Sequence, residues 1–137
     1  MLSTSLFRIL FSLAIILHGL GHLLGILPVL GFRLSANHSA DSWLLSGILG
    51  KTATGVCIGI CLICTILLIG SGMAMNRWLV DIQHWRPLLI SGAFLSLIGL
   101  CIFWNAFPFL VPNKIGIIAV DLFCLYLLFI QNWQPTA

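Results

Sequence analysis

Charge is what this sequence has least of. Its 137 residues include no glutamate, three aspartates, and six lysines and arginines. Nine charged side chains are 7% of the chain, whereas a soluble domain carries roughly 25%. So few cannot clothe a water-soluble globule of 15.0 kDa. A soluble enzyme, a nucleic-acid binder and a disordered chain are thereby excluded. The formal net charge of +3 is spread thinly and contains no basic run to suit a nucleic acid. Motifs for stand-alone hydrolysis are missing too: there is no Ser-His-Asp order with an elbow glycine and no H-E-x-x-H. No reaction can be named from the sequence. The five cysteines are odd in number and none falls in a connection, which argues against a disulfide framework. What is abundant is apolar: 61% of residues are hydrophobic and the mean hydropathy is +1.17. The composition implies an integral membrane protein lodged in a lipid bilayer.

A helix crosses a hydrocarbon core with about 20 mainly apolar residues. Four runs qualify: Ile9–Leu30, Thr52–Gly72, Pro87–Phe107, and the shorter Ile115–Ile130, which Gln131 to Trp133 extend to the interface. The runs are continuously apolar, without the alternation of barrel strands. They take up most of the chain, so one domain is expected, over residues 1–137. Short connections make successive helices antiparallel neighbours. The expected fold is therefore all-α, a four-helix up-down bundle in the membrane. The N-terminal run is too long for a signal-peptide core and shows no small-x-small cleavage site, so it reads as an uncleaved first span. In the first connection, Asp41 or Ser42 is placed to cap a short interfacial helix through Trp43, Leu44 and Leu45. Three cations fall on each side of the bundle. The free amino terminus tips the balance toward both termini being cytoplasmic.

Function is sought where polar groups enter the apolar spans, because such groups usually face the bundle interior. His18 and His22 are four residues apart on the first span and share a face. Such a pair could bind a metal ion, ligate a haem or hydrogen-bond a quinone carbonyl; it could equally hold helices together. No second His, Glu or Cys cluster completes a metal set. Counting about 1.5 Å per residue from the ends of the spans puts His22 ~12 Å and Asp121 ~9 Å from the same face, which predicts an Asp121–His22 contact. Thr54 and Cys57 enter from that face, and Asn105 approaches it from the opposite direction. A small polar pocket is expected there, with His18 as its floor. An isolated carboxyl in lipid stays protonated, which would make Asp121 a neutral donor or part of a proton relay. Trp104, with Phe103, Phe107 and Phe109, reads as an interfacial belt or as a flat wall for a ring-shaped ligand.

Cys57, Cys61 and Cys64 form one stripe on the second span and read as small packing residues, although Cys61-Leu62-Ile63-Cys64 is formally C-x-x-C. Gly21-x3-Gly25 and Gly55-x3-Gly59 match the pattern that lets helices approach closely, within the bundle or in a homo-oligomer.

Arg8 followed by His18-Gly19-Leu20-Gly21-His22-Leu23 resembles the first span of small bacterial four-helix membrane proteins of the DoxX-like kind. Lys114-Ile115-Gly116-Ile117, with Asp121 following, is similar to the last span of uncharacterised relatives. Where DoxX-type proteins often carry a lysine, this chain has His22. The resemblance implies a bacterial cytoplasmic-membrane location. It also implies, by analogy with members linked to quinone-coupled sulfur oxidation, a subunit of a larger membrane complex. Two roles follow from the sequence: a ligand-binding or redox-linked subunit using His18, His22 and Asp121 around a quinone, haem or metal ion, and a non-catalytic accessory or scaffold subunit. A proton or solute conductor is weakened by the lack of an extended row of acids.

Overall fold

The structure is a computed structural model describing residues 4–135. Among these there is no strand. Five helices carry the fold: α1 (Thr4–Gly21), α2 (Ser46–Leu49), α3 (Thr52–Met75), α4 (Trp85–Ile102) and α5 (Ile115–Phe129). With the 3-10 and π turns that extend three of them, four stretches are long and apolar enough to cross a membrane: Ser5–Ile26, Thr52–Met75, Ile82–Ile102 and Leu110–Phe129.

Side-chain pairs give the helix directions. Ser12 meets Gly72 and Thr65 meets Gly19, so α1 and α3 run antiparallel. Ser71 meets Trp85 while Ile60 lies against Gly99, which reverses α4 on α3. Arg86 meets Leu128 and Ser96 meets Asp121, which reverses α5 on α4. The four long helices thus alternate up and down. Close approaches fall at Gly72, where an added Cβ would lie 2.6 Å from Ile16 and 2.9 Å from the Ser12 carbonyl, at Gly25, where it would lie 2.6 Å from the Cys61 sulfur, and at Gly99 and Gly92, where it would lie 2.7 Å from Ile60 and 2.8 Å from Leu68. Within the chain, Gly21, Gly55 and Gly59 have nothing within 4 Å of an added Cβ, and of the four motif glycines Gly25 alone marks a close approach.

The first span differs from its expected limits, with regular helix from Thr4 to Gly21 and a tighter 3-10 turn from His22 to Ile26. Pro28 has no N–H to continue the helix, and the Leu24 carbonyl accepts instead from Leu27 N at 3.3 Å. His38 adds a second bond there: its Nε2–H reaches Leu24 O at 3.2 Å and Ala106 O at 3.0 Å, while Nδ1 accepts from Leu34 N at 3.1 Å. The first connection caps other helix ends as well. Ser42 Oγ–H donates to Ile102 O at 2.9 Å, and the Trp43 indole N–H donates to Cys101 O at 2.7 Å. Ser42, rather than Asp41, accepts from Leu44 N and Leu45 N ahead of α2.

Two apolar clusters fill the interior. One, toward the chain termini, gathers Phe11, Ile15, Leu68, Met75, Trp85, Leu89 and Leu128. The other, toward the first and third connections, gathers Cys57, Cys61, Leu100, Phe103, Phe107 and Ile117. Cys57, Cys61, Cys64 and Cys124 are all buried and unbridged, in keeping with small packing residues. Between the clusters, each of three helices contributes polar side chains. His18 and His22 follow Ile15, Ser96 lies between Leu89 and Leu100, and Asp121 lies between Ile117 and Cys124.

Candidate functional site

Asp121 is the centre of this layer and is fully buried. His18 Nε2 lies 2.8 Å from its Oδ1, and Ser96 Oγ–H donates to its Oδ2. His22 Nε2 lies 3.0 Å from Ser96 Oγ. The roles follow from donor counting. A serine hydroxyl has one proton, and here it goes to Asp121. His22 must therefore donate its Nε2–H to Ser96. With Asp121 as a carboxylate, it accepts on both oxygens, from Ser96 and from His18 Nε2–H. The network thus runs His22 to Ser96 to Asp121, with His18 closing on the other oxygen.

This geometry corrects the expected pairing. His18, not His22, touches Asp121, and His22 reaches it through Ser96. Nor is Asp121 isolated, since His18 and Ser96 lie against its two oxygens. The two imidazoles are edge-to-face, with ring centroids 5.2 Å apart, and His22 meets Phe107 in the same way at 5.6 Å. Of the pair, His22 is only 2% exposed, while the His18 side chain is 8% exposed and looks outward.

His18 looks into a groove of about 410 Å³ between α1 and α5. One wall is Ala14, Leu17, His18 and Gly21; the other is Gly116, Ile117 and Val120, with Pro112 and Asn113 at one end. Helix α3 packs along α1 and α4, and α4 along α5, which leaves the α1–α5 seam the less closely packed. Ala14, Gly21 and Gly116 keep it open because their side chains are small or absent. The volume lies within the roughly 300–1,000 Å³ of small-molecule pockets.

The other expected site residues lie elsewhere. Cys57 is buried in the apolar cluster, its sulfur 4.0 Å from Gly25 O. Thr54 is half-buried in the first turn of α3 and does not line the groove. Trp104 and Asn105 line a separate cavity of about 490 Å³ with Asp41, Trp43 and Cys101. There the Lys114 ammonium stands 4.5 Å from the Trp104 ring centre, a cation–π contact. The single pocket drawing on all four spans is thus replaced by a groove between the first and the last. Among the described residues no group of three or more His, Cys, Asp or Glu side chains could hold a metal ion. The Nε2 atoms of His18 and His22 are already committed to Asp121 and Ser96.

Ser96 is the member of the site that sequence reasoning missed. Its signal was a lone hydroxyl inside a span, but Ser91 gives the same signal and is exposed. No family model, curated protein or solved structure matches the chain. The resemblance to DoxX-like proteins rests on the quoted residues alone.

Proposed function

We propose that this chain is an integral membrane protein that binds a lipid-soluble ligand of the quinone class in the α1–α5 groove, with His18 as the contacting residue. The supporting observation is a single one: the one imidazole that faces the groove is held from behind by a buried carboxylate. Asp121 fixes the ring through Nε2 and turns Nδ1 into the partner for a ligand oxygen. A neutral His18 offers a lone pair at Nδ1 to a quinol hydroxyl. A protonated His18 offers an N–H to a quinone carbonyl, with Asp121 balancing its charge. Both faces of the redox couple are therefore accommodated by moving one proton on one ring. Asn113 at one end apart, the rest of the groove is apolar, as a ring and isoprenoid chain require. Ser96 and His22 supply Asp121 with its second hydrogen bond and fix its orientation.

Haem fits less well, because iron coordination through Nε2 would break the bond to Asp121 or to Ser96. Stapling alone is already provided elsewhere: Ser12, Thr65 and Ser71 each donate to a backbone carbonyl of a neighbouring helix. The test is solvent extraction of quinone from detergent-purified protein, followed by titration with a short-chain quinone. Wild type is expected to carry or bind one equivalent, and His18→Gln to lose it while remaining folded. Equal binding by wild type and His18→Gln, or none by wild type, leaves only the accessory or scaffold role.

A further inference from the structure

Resting on the quinone reading of the groove, we infer that Asn113 is its second polar contact, so that the groove selects a para-quinone, a ring with an oxygen at each end, over ligands with oxygen at one end only. Of the nine residues lining the groove, His18 and Asn113 alone carry polar side chains. His18 is held at the level of Asp121. Asn113 precedes Asp121 by eight residues, in the turn that leads into α5. That separation is about 12 Å of helical rise. Gly116, Ile117 and Val120 line the wall in the interval and offer a ligand no side-chain hydrogen bond. The polar lining is thus two separated points on an apolar surface.

The Asn113 side chain has no task in the fold, whereas other polar side chains at this end of the bundle do. Ser35 Oγ–H donates to Pro108 O at 3.0 Å, Ser42 Oγ–H to Ile102 O at 2.9 Å, and His38 Nε2–H to Ala106 O at 3.0 Å. Each of these satisfies a backbone carbonyl near the third connection. Among the described residues the Asn113 carboxamide has no hydrogen-bond partner, although it is half-buried. A polar group drawn out of water costs free energy unless a partner answers it. A ligand oxygen at the end of the groove would answer this one.

The chemistry of a carboxamide suits both forms of the ligand. Nδ2–H donates to a quinone carbonyl, and Oδ1 accepts from a quinol hydroxyl. His18 changes role by moving a proton; Asn113 does so by turning its amide. A para-quinone ring with a hydrogen bond at each oxygen spans about 11 Å, which matches the separation of the two levels. A fatty acid or a simple phenol has one polar end and leaves one of the two residues unanswered. Sites built to hydrogen-bond a ligand group discriminate strongly against analogues that lack it.

The experiment is binding of decyl-para-benzoquinone to the full chain in detergent, read by titration and by infrared difference spectra with an isotope label at one carbonyl or the other. In wild type both carbonyl bands are expected below their positions in free quinone. Asn113→Leu is expected to return one band to its free position and to bind about tenfold more weakly, with the ligand-free Tm unchanged. Asn105→Leu, outside the groove, should bind like wild type. Decylphenol, with its single oxygen, should bind wild type more weakly than the quinone does. Unchanged affinity and unmoved bands in Asn113→Leu overturn the inference and leave the His18 contact standing. Binding that survives His18→Gln but weakens in Asn113→Leu supports the inference and overturns the His18 contact. Equal affinity of wild type for decylphenol and quinone overturns the selection of two-ended ligands. No quinone binding by wild type overturns both readings.

Discussion

Helices α1 and α5 are joined differently along their length. Toward the termini the joint is made of rings. Phe7 and Phe11, stacked on α1 at 5.9 Å, both meet Trp133, in the segment after α5, edge-on at 5.7 and 5.4 Å. Phe123 of α5 meets Phe11 at 6.3 Å. Further along, the hydrogen bond of His18 to Asp121 crosses the seam, with open space beside it. Aromatic pairs add about 0.5–1.5 kcal/mol each beyond the area they bury. Polar bonds between membrane helices average only about 0.6 kcal/mol. The ringed end thus supplies most of the cohesion of the seam. The polar end is relieved of that task, and can keep a gap and a responsive imidazole.

Substitutions should separate the two ends. The largest loss of stability is expected from Phe11→Ala, about 3 kcal/mol, read by denaturant unfolding in micelles, with quinone binding at the groove retained. Asp121→Asn should cost less, about 2 kcal/mol, because an amide offers one acceptor and sets its N–H₂ against a former donor. That variant should nevertheless lose the ligand, and a full complement of bound quinone would erase the distinction between the ends. Ser96→Ala should have the smallest effect, about 1 kcal/mol. It leaves the His22 N–H without its acceptor but keeps the His18–Asp121 contact, so affinity for quinone should fall only modestly. If Ser96→Ala destabilises more than Phe11→Ala, the polar layer is the main fastening after all.

The helical architecture was legible because four apolar runs in so uncharged a chain have few other forms to take. His18 and Asp121 stood out for the same reason, as ionisable groups where none is expected. Their pairing was read one turn out, and the cause is traceable. The first span was assumed to run to Leu30, but it ends at Ile26. Four residues are about one helical turn, which moves the level assigned to His22 onto His18. The last span also begins earlier, at Leu110, so Asp121 lies deeper than reckoned. Ser96 was hidden because a serine in an apolar helix often bonds only to its own backbone, and no pattern marks one that does not. Trp104 and Asn105 were placed with the site because distance along a span says nothing about which side of the helix faces inward. His38 gave no such signal, because nothing in the first connection marks which distant carbonyls, here Leu24 O and Ala106 O, an imidazole will reach.

The groove at His18 opens sideways, between two helices, rather than at either end of the bundle. On the proposed membrane reading, a molecule reaching it arrives from among acyl chains. What sets its occupancy is then the proportion of ligand dissolved in the surrounding lipid, not the amount in the buffer. Diluting a sample with empty vesicles should empty the groove even when the aqueous concentration is held fixed.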